Sequence, residues 1–441
     1  MARFLFGIPP FWGHLAPTIA LAQRLRERGH AVAYASHPAV GASLARAGQE
    51  LLPGFGWGDR MLEGAELLAG GLREHQVLRR LGNPYLHGLP EGIAGFRRLA
   101  REWRPDVVFH DIIFHAAALA AEAEGVPFAT SCPVVLPHWL SRGLPVYGPG
   151  LPRASARTVG GLLARGVGRL VRSFPARTLG RQRRSLGLPR RPEPFLDVSE
   201  WLTLAYTTEA FEYPRPDLHP AIHLIGPSVA AARGDHDLPF PWDWLDGSPL
   251  VCLSLGTVFH GHRPFYDAAA KASEGQPWQL VMKVGPRLPA GAWPGGPPNV
   301  LAVHEQPQLA LLKRASAMVS HAGDNSVHEA LAEGVPLVVA PAGADQGEVA
   351  QRVVACGAGL RVDLYRIGPM ELRRCIQEVL GSESYREAAA RVAADFRRCD
   401  GPGIGTDLLE RLALTRQPVL RPEPRVPTRY ARPAAGADGS D

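Results

Sequence analysis

The chain has 441 residues, 46% of them hydrophobic and 20% charged, with a formal net charge of +6. That length is too great for one core and predicts two domains, while no apolar run reaches the roughly eighteen residues that a membrane-spanning helix needs. Nearly all the basic charge is arginine, since Lys271, Lys283 and Lys313 are the only lysines, and beside abundant Ala, Gly and Pro this reads as a GC-rich coding bias rather than a nucleic-acid surface.

The N-terminal "MARFLFGIPP" has no charged leader, apolar stretch and cleavage site in succession, so it reads as a first strand (residues 2–8) and the protein is expected in the cytoplasm. Residues 17–29 predict an amphipathic helix, with Ile19, Leu21 and Leu25 inward and Gly29 as its stop. A strand over 31–37 follows. "PDVVFHDIIFHAAALAAEAEGVPFATSC" (105–132) repeats strand, helix, glycine, strand. Such alternation with short loops implies a parallel sheet wound in βαβ units.

Residues 125–192 contain no acidic side chain, and 153–191 are rich in arginine. There "GLLARGVGRLVRSF" puts Leu163, Val167, Leu170 and Phe174 on one helical face and Arg165, Arg169 and Arg172 on another. A surface helix packing its apolar side on the domain is the favoured reading; weak contact with an anionic membrane surface, or attraction of an acidic partner, is the alternative. A second strand–helix series follows a Pro-rich passage, with strands over 249–257, 278–285, 315–321, 335–341 and 359–363 and helices over 325–334 and 347–357. A last helix spans 404–414, and the segment after it has little to bury and reads as a disordered tail. Cys132, Cys252, Cys356, Cys375 and Cys399 are scattered and odd in number, as expected of reduced thiols.

The segment 304–360 carries the most chemistry. A strand ends at His321, Gly323 permits a tight turn, and a helix begins near Asn325, which offers free N–H groups to a diphosphate. His321 adds a donor and Ser326 a hydroxyl. Glu329, one turn on, could accept hydrogen bonds from ribose hydroxyls; alternatively Ser326 and Glu329 form a capping box of structural value only.

This segment resembles the C-terminal signature of the UDP-glycosyltransferase superfamily, in particular its bacterial macrolide- and carotenoid-type branch. The matching elements are Pro307–Gln308, the block His321–Glu329, Gly334–Pro336 and Asp345–Gln346, with "GHLAP" near the start and "SLGT" at 254–257. The resemblance implies an α/β GT-B architecture, two Rossmann-like doubly wound domains facing across a cleft. The expected boundaries are an acceptor domain over 1–215, a linker over 216–245, a nucleotide-sugar domain over 246–400, a bracing helix over 401–416 and a tail over 417–441. By motif, His321, Gly323, Asn325 and Ser326 would meet the diphosphate with Thr257 opposite. Glu329 would bind ribose, Gln308 the base edge, and Asp345 and Gln346 the sugar hydroxyls. Glu305 stands where family members often have an aromatic that stacks on the nucleobase, which a carboxylate cannot do. Glu329 favours a ribonucleotide, so a UDP-sugar of the glucose type comes first and a dTDP-sugar second.

The resemblance also gives His14 a role as general base toward an acceptor hydroxyl, with Asp111 orienting its ring. The positive end of the following helix should keep the imidazole neutral; the structural alternative is that His14 ends a strand and Asp111 caps a helix. Direct displacement would invert the anomeric centre. No metal or further cofactor is expected, because the helix end and His321 stabilise the departing diphosphate. Phe11, Trp12, Trp139 and Tyr147 could line an apolar acceptor pocket or serve as core, and a hydrophobic natural product is the acceptor that the resemblance implies. The expected function is therefore an inverting glycosyltransferase. The alternatives are a nucleotide-sugar-binding accessory protein, a lipid-linked glycosyltransferase, or a nucleotide-sugar epimerase of the same fold.

Overall fold

The computed structural model describes residues 1–53, 55–141, 144, 150, 158–191, 198–229 and 238–422. Its first half contains β1 (Arg3–Gly7), α1 (Trp12–Glu27), β2 (Ala31–Ala35), α2 (Gly41–Arg46), α3 (Asp59–Ala69), α4 (Glu74–Leu81), α5 (Leu89–Trp103), β3 (Val107–Asp111), α6 (His115–Ala123), β4 (Phe128–Cys132), α7 (Val159–Ser185), β5 (Thr203–Ala205) and β6 (Ile222–Leu224). The strands form a parallel sheet in the order β2-β1-β3-β4-β5-β6. They are short, apolar runs, and β3 and β4 are buried along their whole length because helices cover both faces.

The second half contains β7 (Leu250–Ser254), α8 (Arg263–Ala272), β8 (Gln279–Lys283), β9 (Gly291–Ala292), β10 (Val300–Val303), α9 (Gln308–Leu312), β11 (Ala315–Ser320), α10 (Asp324–Ala332), β12 (Leu337–Val339), α11 (Gln346–Ala355), β13 (Gly359–Arg361), α12 (Pro369–Gly381), α13 (Glu383–Arg397) and α14 (Gly401–Thr415). Its sheet runs β13-β12-β11-β7-β8-β10-β9, parallel except for the β9 edge. In each sheet the strand order reverses beside the first strand, between β1 and β3 and between β7 and β11. Such switch points open a crevice at the strands' carboxyl ends, where doubly wound sheets bind ligands.

Helix α14 leaves the second half and packs on the first: Leu409 and Leu412 join the core that contains Phe4, Leu21 and Leu25. Arg28 reaches Asp407 at 2.6 Å and Glu410 at 2.7 Å, and His30 Nε2 lies 2.7 Å from Glu410.

Several expectations on extent differ from the structure. Strand β6 falls inside the stretch read as linker, pairing with β5 in register Thr203 to Ile222; at three residues it is too short to show a period. The chain beyond α14 also stays attached through Gln417–Arg421: the Val419 N–H donates to the Trp201 carbonyl at 2.7 Å and the Arg421 N–H to Pro220 at 2.8 Å. The Val419 side chain is also buried in the core of the first half. Residues 423–441 and 230–237, and Tyr147, lie outside the described residues. The Arg-rich segment contributes α7, but Leu163 is 67% exposed at its start, not packed inward; the side chains of Arg165, Val167, Arg169, Leu170, Arg172 and Phe174 are outside the description. No helix among the described residues is long and apolar enough to cross a membrane.

Candidate active site

His14 hangs from the first turn of α1. The sequence suggests that this helix opens near Pro17, but it opens at Trp12. The Phe11 carbonyl accepts from the N–H groups of both His14, at 2.9 Å, and Leu15, at 3.0 Å, which closes a turn ahead of the proline. Asp111 ends the neighbouring strand β3, so the switch point itself brings the two residues together. His14 Nδ1 lies 2.8 Å from Asp111 Oδ2. Asp111 Oδ1 accepts from the Ile113 N–H at 3.0 Å, and the carboxylate is fully buried. It caps no helix, since α6 begins four residues later.

With Nδ1 donating to the carboxylate, Nε2 is the ring's proton acceptor. Burial alone would push the imidazole down, but the charge and hydrogen bond of Asp111 outweigh it, and His14 lies above the ordinary value. The helix end is therefore not what sets its protonation: a carboxylate in contact is a stronger influence than a partial charge. His110 is a structural neighbour. Its Nε2 faces Thr130 Oγ1 at 2.9 Å, its Nδ1 donates to the Asp111 carbonyl, and burial pushes it down to about 3.

Across the cleft, His321 follows β11 and sits between Gly256 and Gly323; a Cβ at either would strike its imidazole. Ala322 takes the left-handed conformation with φ 62, as does Gly256 with φ 75 before Thr257. Left-handed geometry at a non-glycine residue costs energy and concentrates at functional loops. Burial pushes His321 down to about 4, and its Nδ1 faces the Ser254 carbonyl at 3.4 Å. With Nδ1 donating to Ser254, the neutral ring carries no proton on Nε2, and donation to a diphosphate from that nitrogen calls for one.

Helix α10 starts at Asp324 with Gly323 as its cap and no side-chain capping bond. Ser326 is therefore inside the first turn and forms no capping box with Glu329. Instead Gln308 Nε2 donates to Glu329 Oε2 at 2.5 Å and approaches Ser326 Oγ at 3.5 Å. Asn325 Nδ2 donates across the cleft to the Gly13 carbonyl at 2.7 Å. Asp345 precedes α11; burial, then the charge of Asp324, pushes it up to about 7. The Gln346 side-chain oxygen accepts from the N–H groups of Ala342 at 2.8 Å and Gly343 at 3.2 Å.

A cavity of about 470 Å³ between the sheets collects His14, Thr257, Glu305, Gln308, His321, Gly323, Asn325, Ser326, Glu329, Asp345 and Gln346 in its wall, with Asp111 behind His14. Phe11 and Trp12 also line it. Trp139 instead packs against the core around Ile112 and Cys132.

The sequence reading missed the wall formed by α3 and α4, including Met61, Leu68, Val77 and Leu78, with Tyr85 beyond them. Met61, Gly64, Ala65 and Leu68 recur at helical spacing and were the available signal. Glu74 at the start of α4 accepts from the Ala344 N–H at 2.8 Å, joining this wall to the loop before Asp345. Among the described residues no cluster of three or more His, Cys, Asp or Glu side chains could hold a metal ion; the Asp-x-Asp pair Asp235 and Asp237 lies outside them.

Residues 294–402 match the family model described as Erythromycin biosynthesis protein CIII-like, C-terminal domain. The chain is 32% identical to 4'-demethylrebeccamycin synthase of Lentzea aerocolonigenes over 437 residues, covering 93% of this chain and 99% of that protein. It is 27% identical to demethyllactenocin mycarosyltransferase of Streptomyces fradiae, covering 93% and 87%. The crystal structure of the kitacinnamycin glycotransferase superposes with a TM-score of 0.72 at 24% identity, covering 93% of this chain and 98% of that one. A full-length relative, the match over 294–402 and two doubly wound sheets facing one cavity agree: the chain belongs to the UDP-glycosyltransferase superfamily, in its bacterial natural-product branch, and is a glycosyltransferase of GT-B fold.

Proposed function

We propose that the protein moves a hexose from a nucleoside diphosphate sugar, UDP-linked in the first instance and dTDP-linked in the second, to a hydroxyl of a small hydrophobic natural product, inverting the anomeric centre without a metal. The observation that carries this reading is the 2.8 Å contact between His14 Nδ1 and Asp111 Oδ2, facing the same cavity as the His321–Glu329 turn.

In this reaction the acceptor oxygen bonds to the anomeric carbon as the bond from that carbon to the diphosphate oxygen breaks. His14 Nε2 takes the hydroxyl proton, and Asp111 stabilises the imidazolium that results. The electron pair leaves with the diphosphate, which meets the N-terminus of α10 beside Thr257, Asn325 and Ser326. Ribose hydroxyls replace Gln308 as donors to Glu329, and Gln308 turns to the base. Asp345 and Gln346 hold the sugar. The apolar wall from α3 and α4 suits a hydrophobic acceptor. The first sheet with α14 forms the acceptor domain and the second sheet through α13 the donor domain.

Calorimetric titration with UDP, dTDP and UMP tests the donor half. Clear diphosphate binding without added metal, weakened in Glu329→Ala, is the expected result; binding of no nucleotide would overturn the assignment. An acceptor screen with the preferred donor then follows, in which His14→Ala should lose transfer while still binding nucleotide.

A further inference from the structure

Pro17 is the sixth residue of α1 and has no N–H. In an unbroken helix that N–H would bond the carbonyl four residues earlier, on Gly13. The proline thus removes the i+4 donor that would ordinarily serve this carbonyl, at the residue immediately before His14. The second half of the molecule supplies the donor: Asn325 Nδ2, in the first turn of α10, reaches the Gly13 oxygen at 2.7 Å. Among the described residues outside its own helix turn, Asn325 Nδ2 is also the group nearest to where a Gly13 Cβ would sit, at 3.8 Å. Gly13 and Asn325 both line the cavity.

We propose that Asn325 is a positioning residue for the base: its amide holds the Gly13 carbonyl that Pro17 leaves open, and so fixes His14 over the donor helix. The proposal rests on the reading of His14 as base. Asp111 sets the rotation of the ring, and Asn325 sets the backbone from which the ring hangs. One amide nitrogen carries two hydrogens, so Asn325 can hold Gly13 with one and a diphosphate oxygen with the other. The base and the leaving group are then tied to a single side chain, and His14 is in place when the cleft is closed. Misplacing a reacting group by about 1 Å can cost on the order of 100-fold in rate, so one hydrogen bond here matters to turnover.

Hydrogen exchange read on the full chain tests the contact without any substrate. Asn325→Ala should speed exchange of the His14 and Leu15 amides several-fold, while Ser326→Ala, one residue away on the same turn, leaves them protected. Unchanged exchange in Asn325→Ala overturns the proposal. The kinetic arm uses Pro17→Ala, which alters no donor-site residue. The restored N–H draws the Gly13 carbonyl back toward the helix axis. With the donor and acceptor that the titration and screen select, it should lower kcat about 10-fold and leave UDP or dTDP affinity as it was. Adding it to Asn325→Ala should slow turnover no further, because the two changes act on one contact. A wild-type kcat in Pro17→Ala, or an Asn325→Ala variant that loses nucleotide affinity alone, would refute the positioning role. Full activity in His14→Ala would instead overturn the base itself, a separate and recognisable failure.

Discussion

Asp111 makes two opposing contributions to a base at position 14. It strengthens the base by favouring imidazolium, and it reduces the fraction of free base at neutral pH. Since Asp111 holds His14 above the ordinary value of 6.5, kcat/KM should rise with pH through a midpoint above 6.5 as the ring loses its proton. Asp111→Asn should move that midpoint down and lower kcat by about 100-fold or more, since the charge that stabilises the imidazolium is gone; a pH–rate profile of both proteins checks it. His321 poses the complementary case. Its neutral ring, at about 4 and with Nδ1 toward Ser254, needs a proton on Nε2 before it can donate to a diphosphate. Nucleotide binding at pH 7 should therefore take up protons, and less so in His321→Gln. Calorimetry in buffers of different ionisation enthalpy measures this directly.

At the scale of elements, α14 matters out of proportion to its length, because it returns from the second half to the first. Leu409 is buried among α1 and the first sheet, and Gly405 lies where a Cβ would press on Leu21 at 3.0 Å. Leu409→Ala should cost about 2–5 kcal/mol, visible as a lower midpoint in urea unfolding, and Gly405→Val should prevent docking of the helix. The 3.6-residue period of 404–414 announced this helix, while its partner, the first domain, was expected only from the family resemblance. The starts of α1 and α10 were less legible for the same reason. Pro17 looks like an opening residue until Asn325 is seen serving Gly13, and Ser326 looks like a cap until Gly323 is seen to be one. Helices α3 and α4 carry the right periodicity yet no chemical motif, so an acceptor wall built from them is visible only when they lie over the cavity.

Across the whole molecule, the two halves meet around a buried ion network. Arg352 of α11 donates to Glu212 at 2.6 Å and approaches Glu348 Oε2 at 3.3 Å, and Arg215 lies 3.5 Å from Glu212. Removing one partner from such a cluster leaves a charge uncompensated. Arg352→Ala should lower stability by about 3–5 kcal/mol and should make the unfolding transition of the two halves separate, as followed by differential scanning calorimetry. Glu212, Arg215 and Arg352 drew no notice in the sequence, where 137 positions separate the second from the third.

Properties that depend on neighbours along the chain were determined by the sequence alone: alternating strands and helices, the Gly-flanked turn after β11, the family signature, and the identity of His14 and Asp111 as candidates. Short-range periodicity and turn chemistry are local, and a motif keeps its spacing whatever the rest of the chain does. The tertiary structure decided what depends on residues hundreds of positions apart. It set the His14 protonation through Asp111, turned Asn325 toward Gly13, gave Gln308 to Glu329, and decided between pocket and core for Trp139. Burial and electrostatic coupling are properties of distance in space, and that distance exists only once both sheets have closed on the cleft.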